Sequence, residues 1–173
     1  IVVEPGYDWS GDVPLDRPMQ DTIIYELHVA GFTRDPSSAV AHPGTFEALI
    51  EKTEYLRDLG VTDVQLMPVM AFDEQDIPDS TAALGLENYW GYSTIGFFAP
   101  KAGYAATGPL GMQVDEFKAL VKELHRNGIE VMSGFGMTEA TGGITMTPAC
   151  VRRSTNAGSA STPSIQRQFQ SPR

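Results

Sequence analysis

Thr22-Ile23-Ile24-Tyr25-Glu26-Leu27-His28-Val29 is the stretch from which the fold can be worked out. It begins with β-branched residues and then alternates, with Tyr25, Leu27 and Val29 on one face and Glu26 and His28 on the other. A period of two marks a half-buried strand. Downstream the period changes. Phe46, Leu49, Ile50, Thr53 and Leu56 recur at helical spacing, Thr45 stands where an N-cap belongs, and Glu47 and Glu51 suit the positive helix start. Gly60 suits the stop, and residues 63–67 form a short second strand ended by Pro68. A strand joined to the next through a helix predicts a parallel pair with a right-handed crossover. Val114, Phe117, Leu120, Val121 and Leu124 predict a second amphipathic helix, closed by Asn127-Gly128, and residues 129–132 begin a third strand. This alternation opens an α/β fold. It fits a barrel and a doubly wound sheet equally.

Residues 31–44 and 69–110 are expected to be loops. The second carries Asn88-Tyr89-Trp90-Gly91-Tyr92-Ser93-Thr94-Ile95-Gly96-Phe97-Phe98-Ala99-Pro100, with five aromatics in the first eleven residues. Following the polar, acidic run 72–87, this stretch is read as loop rather than strand. Two uses fit it. Exposed rings stack on the apolar face of a sugar while Asn or Tyr pairs its hydroxyls, or the rings fold on one another as a local core.

Asn-Tyr-Trp-Gly-Tyr followed by Gly-Phe-Phe-Ala-Pro resembles the α-amylase superfamily of glycoside hydrolases, and within it the isoamylase and glycogen-debranching branch. Three further stretches agree in the same order: Asp21-Thr22-Ile23-Ile24-Tyr25-Glu26-Leu27-His28-Val29-Ala30-Gly31-Phe32-Thr33; Gly44-Thr45-Phe46 through Tyr55-Leu56-Arg57-Asp58-Leu59-Gly60-Val61-Thr62; and Val64-Gln65-Leu66-Met67-Pro68-Val69. The likeness covers roughly residues 1–131. It implies the eight-stranded TIM barrel, of which this chain would hold the first three strands and two helices. A barrel typically needs about 250 residues. The resemblance also implies a division of the chain: 1–20 as the linker from a β-sandwich that would be missing here, 21–132 as a truncated barrel domain, and 133–173 as an irregular tail unlike the family. A neutral α-glucan such as glycogen is the implied substrate, with cleavage at α-1,6 branch points suggested by the long run 72–87. Tyr92 matches the family tyrosine that stacks on the sugar at the cleaved bond, and Asn88, Trp90 and Gly91 match the neighbours that hold that loop. A branching enzyme, a trehalose-forming hydrolase and a non-catalytic glucan-binding remnant remain alternatives.

Retaining hydrolysis needs two carboxyl groups flanking the bond. In this family they follow later strands, so no catalytic residue is assigned and the chain alone is expected to be inactive. The family signature Asp-x-x-x-Asn-His at the third strand would fall on Gly134, Thr138 and Glu139, and all three of its residues are lost. Without further strands, Leu27 and Leu66 are expected to be exposed. The open sheet edge invites self-association, and an unheld aromatic loop would bind glucan more weakly than about millimolar.

The composition narrows the field. The 173-residue chain carries a net charge of −10, which argues against nucleic acid. All 22 acids lie in residues 1–143, while 144–173 hold four arginines and no acid, an asymmetry that marks a separate segment. No apolar run reaches the ~18 residues of a membrane span. A single cysteine, Cys150, fits a reducing, cytoplasmic setting. His28 and His42 have no third metal ligand at a recognised spacing, and His28 is expected to hydrogen-bond at the mouth of the strands. His125 is read as solvated or as a favourable cation at its helix end. Asp73, Glu74, Asp76 and Asp79 read as a solvated acidic loop, with weak calcium binding as the alternative. No cofactor is implied.

Overall fold

The computed structural model describes residues 6–108, 111–137 and 142–148. Four strands form one sheet: β1 (Ile24–Leu27), β2 (Asp63–Leu66), β5 (Glu130–Met137) and β6 (Gly142–Pro148), in the order β1-β2-β5-β6. The first three run parallel, with Ile24 opposite Asp63 and Asp63 opposite Glu130. The α/β class read from the sequence is thus observed. β6 returns antiparallel beside β5. The expected irregular text from residue 133 therefore includes strand at 133–137 and 142–148, and residues 149–173 lie outside the described part.

The strand predicted over 22–29 stops at Leu27. The His28 ring accepts the Gly31 amide and so caps a short helix, α1 (Val29–Thr33), in what the sequence suggested was loop. The helix predicted from Phe46 divides into α2 (Phe46–Glu51) and α3 (Thr53–Asp58). At the break the Lys52 amide bonds Leu49 O at 3.0 Å, and the Thr53 hydroxyl reaches the same carbonyl. A threonine that back-bonds to the preceding turn competes with the regular ladder. Thr45 is the N-cap of α2, accepting the Ala48 amide at 3.2 Å.

The long loop is only partly loop. β3 (Met70–Phe72) pairs antiparallel with β4 (Thr94–Pro100), so the second half of the aromatic stretch is strand. Its β-branched and aromatic residues have the side chains that a pleated surface favours. Between these strands lies one helical turn, α4 (Asp79–Ala82), and after them comes α5 (Met112–Arg126).

Helices α2, α3 and α5 cover one face of the parallel sheet. Leu27, Val64 and Val131 meet Phe46, Leu49, Leu56, Leu120, Val121 and Leu124 in one apolar core. Each such side chain contributes roughly 1.5–3 kcal/mol on full burial. This corrects the expectation that Leu27 would be exposed, since it is 4% exposed, and Leu66 is packed against the same core. By alternation the opposite face carries Ile24, Glu26, Asp63, Gln65, Glu130 and Met132. That face is largely polar, whereas the side chains expected to be stranded in water belong to the helix layer.

Candidate functional site

The aromatic loop hangs between β3 and β4, beside the carboxyl end of β1. Ligands in parallel α/β sheets bind beyond that end of the strands. His28, the residue directly after β1, is the hub. It is buried, its ring stacks on Tyr89 with centroids 4.1 Å apart, and Trp90 and Tyr104 meet it edge-on at 5.9 Å each. Because Nδ1 accepts the Gly31 amide at 3.0 Å, the proton sits on Nε2. Nε2–H then donates to the Tyr89 carbonyl at 2.9 Å, with the Tyr104 hydroxyl oxygen 3.2 Å away. Burial holds the imidazole pKa below its ordinary value; the Tyr89 carbonyl opposes this and the Arg34 charge adds to it. The ring is neutral at physiological pH. Burial also pushes the Tyr104 phenol up to about 12.

Asn88 fixes the start of the loop. Its amide nitrogen donates to Asp73 O at 3.2 Å and to Ser93 Oγ at 3.0 Å, and its amide oxygen accepts Gly91 N at 3.2 Å. All its side-chain polar atoms are thus used inside the loop. Gly91 has φ +73°, and a Cβ there would strike the buried Phe72 ring. At Gly31, where φ is ordinary, a Cβ would collide with the Tyr89 hydroxyl. The Phe72 ring is held in turn by Lys101. That buried ammonium lies 4.1 Å from the ring centroid, donates to Phe72 O at 2.8 Å and pairs with Glu74. The hydrogen bond from Lys101 holds the Glu74 carboxyl below the usual range against a smaller effect of burial.

The rings divide into anchored and free. Tyr89 and Trp90 pack on His28 and on each other, yet Trp90 keeps 53% of its surface exposed. Tyr92 is 68% exposed and stacks on no ring among the described residues. The local-core reading of the aromatic stretch therefore holds for Tyr89 and for one side of Trp90, while the Tyr92 ring is left open to solvent. The structure brings Asn88, Trp90 and Tyr92 onto one loop. It adds Lys101 and Tyr104, which the sequence analysis did not single out. A lone lysine inside the apolar run Phe97-Phe98-Ala99-Pro100-Lys101-Ala102-Gly103-Tyr104 was the available signal.

A second polar cluster lies at the start of β5. His125 is buried, with Nδ1 3.0 Å from Asp12 Oδ1 and Nε2 2.7 Å from Glu130 Oε1. It is not solvated as one reading had it. Burial lowers its pKa, but the hydrogen bonds and charges of Glu130 and then Asp12 outweigh that, and the net shift is upward. Burial raises the Glu130 pKa and is outweighed by His125 and by the Leu15 and Val131 amides, so that carboxyl ends below its ordinary value. Among the described residues no three of His, Cys, Asp and Glu converge to hold a metal ion. None of the described helices is long and apolar enough to cross a membrane. Of the family signature positions only Gly134 is described, within β5; Thr138 and Glu139, like Cys150, lie outside the described residues.

No family model matches the chain. It is 45% identical over 134 residues to "Isoamylase 1, chloroplastic" of Arabidopsis thaliana, covering 75% of this chain and 17% of that protein. It is 44% identical over 136 residues to "Glycogen operon protein GlgX homolog" of Mycobacterium bovis, covering 76% and 18%. Among solved structures, a pullulanase from Paenibacillus barengoltzii in complex with maltohexaose and alpha-cyclodextrin superposes with a TM-score of 0.60 at 28% identity, over 71% of this chain and 21% of that one. The chain thus spans less than a fifth of the length of the curated relatives named here.

Proposed function

We propose that this chain, which belongs to the isoamylase-type, glycogen-debranching branch of the α-amylase superfamily, is the glucan-contacting opening segment of a debranching enzyme. In this reading β1, β2 and β5 are the first three strands of an eight-stranded barrel that opens at residue 21, and β5 carries it past residue 132 to Met137. The whole enzyme would hydrolyse α-1,6 branch linkages in glycogen or a related α-glucan. The choice of α-1,6 over α-1,4 is the finer part of the proposal and rests on the long run 72–87. The single cysteine supports a reducing compartment such as the cytoplasm.

One observation carries the reading: Tyr92 presents an open ring on a loop whose neighbours are pinned, at the carboxyl end of the strands. Tyr92 and the free face of Trp90 stack on glucose rings, and Asn88 holds the loop that presents them. The chain supplies binding and orientation to the reaction, while the two carboxyl groups that break the bond belong to later strands of the barrel.

Ligand-observed NMR with maltohexaose tests the binding half. Stacking on one ring gives about 0.5–1.5 kcal/mol, so Tyr92→Ala should weaken a roughly millimolar interaction by about two- to tenfold. Saturation transfer that is indifferent to Tyr92→Ala would overturn the assignment. Reducing ends released from pullulan above a buffer control would overturn the non-catalytic reading of this chain.

A further inference from the structure

His28 stands out among the groups that this function leaves unassigned. It is buried, neutral and bonded through both ring nitrogens, each to the backbone of a different element. We propose that His28 is a positioning residue with two separable duties: Nδ1 caps α1, and Nε2–H tethers the glucan-contacting loop through the Tyr89 carbonyl. This inference rests on the reading of Trp90 and Tyr92 as the glucan contacts.

The geometry separates the two duties. The tether falls on the peptide oxygen of Tyr89, one residue before Trp90 and three before Tyr92. The His28 ring lies parallel to the Tyr89 ring at 16°, which fixes the plane of the loop, and the Trp90 edge rests on the same imidazole. Gly31 leaves the space that the Tyr89 hydroxyl occupies. The helix that His28 caps therefore also receives the ring that His28 stacks. Tyr104 closes the far side, edge-on to both His28 and Phe46, so the hub is rooted in the core. The groups facing the imidazole from these elements are the Tyr89 and Tyr104 phenols and, at longer range, the Arg34 charge. Among the described residues no carboxylate bonds it, so the neutral tautomer set by the Gly31 amide is the working form.

Two substitutions divide the duties by reach. His28→Asn places an amide oxygen near the position of Nδ1 and can still accept the Gly31 amide, but it is too short to reach Tyr89. His28→Gln places an amide N–H near the position of Nε2 and can keep the tether, but it gives a poor cap. Amide hydrogen exchange on the full chain reads both arms, with Gly31 reporting the cap and Gly91 reporting the loop. In His28→Asn, Gly91 should exchange on the order of tenfold faster, the usual worth of one net hydrogen bond, while Gly31 keeps its protection. Maltohexaose saturation transfer should fall towards the Tyr92→Ala level in the same variant. In His28→Gln the pattern should reverse, with Gly31 faster and both Gly91 and maltohexaose binding held.

Equal effects of the two variants on both reporters would overturn the proposal and leave His28 as a packing residue. An independent arm needs no variant: the imidazole nitrogen shifts of the unmodified chain should show His28 protonated on Nε2 alone at pH 7. An Nδ1–H tautomer or an imidazolium there would overturn the proposal. If the unmodified chain fails to bind maltohexaose, the glucan reading fails, while the exchange and tautomer arms still decide whether His28 tethers the loop.

Discussion

Replacing His125 with leucine should expose what holds the lead-in segment onto the sheet. The imidazole lies between Asp12 and Glu130 at 3.0 and 2.7 Å, and both carboxylates are largely buried. Leucine removes the cation and leaves both acids behind. Removing one partner of a buried ion pair costs about 3–5 kcal/mol. Glu130 still accepts the Leu15 and Val131 amides at 2.9 and 3.1 Å, and that remaining solvation sets the expectation at the lower end, about 3 kcal/mol. Against a domain stability of about 5–15 kcal/mol that is a large loss. The sign of its pH dependence follows from the two shifts. His125 has a raised pKa, so its contribution is complete below about 6.5 and is lost as pH rises through its folded value. Glu130 has a lowered pKa, so its contribution is complete above about 4.3 and is lost as pH falls through its folded value. The gap between wild type and His125→Leu should be widest between those limits and narrow towards pH 9. Urea unfolding followed by circular dichroism at pH 5.5 and pH 9 measures it. With a slope of about 2 kcal/mol/M the midpoint should shift by roughly 1.5 M at pH 5.5. A gap that stays constant, or that widens from pH 6 to pH 9, would show that the imidazole is not charged and would refute the ion-pair account.

Two further outcomes are expected. Gly91→Ala should destabilise the loop by about 2 kcal/mol or more, combining left-handed backbone strain with overpacking against Phe72; thermal unfolding and loss of maltohexaose saturation transfer check it, and an unchanged loop would mean that the Phe72 contact is soft. Ile95, Phe97 and Phe98 are exposed on β4, Phe98 at 102%, so the chain should self-associate through this surface as well as through the β1 edge, and Phe98→Lys should lower the association seen by sedimentation velocity.

The sequence made the parallel sheet legible because its signals are local. Alternation at Tyr25 and Leu27, the Thr45 cap and the apolar stripe of α5 each report on their own element, and all three match the structure. What it hid depends on partners distant along the chain. Leu27 was assigned to water because the strand was imagined without its helices, yet Phe46, Leu120 and Leu124 come from elements up to 97 residues away (124 − 27) and cover it. The strand at Thr94–Pro100 was masked by its glycine and proline and by the irregular pairing with β3. Likewise no spacing rule links Asp12 to His125 or His28 to Tyr104; only the folded chain brings them within hydrogen-bond distance. Tyr92 could be singled out from its motif, but its freedom from ring partners among the described residues is visible only against Tyr89 and Trp90, which the same few residues commit to packing.

That division of roles bears on how tightly the segment can bind. Ordering a free loop costs roughly 1–2 kcal/mol per residue, and one stacking ring returns about 0.5–1.5 kcal/mol. A mobile loop of five residues would therefore consume several times what Tyr92 offers, which is why the sequence alone pointed to binding weaker than millimolar. The structure removes most of that cost before any ligand arrives. Asn88 closes the turn onto Gly91, Phe72 and Lys101 seat it, and His28 holds Tyr89 by its carbonyl and its ring. Only the Tyr92 side chain is left to order, at a cost below that of one backbone residue. The stacking energy is then retained rather than spent on ordering, which removes the reason to expect binding weaker than about millimolar, near 4 kcal/mol. Loosening any of these anchors should lower maltohexaose affinity as much as Tyr92→Ala does.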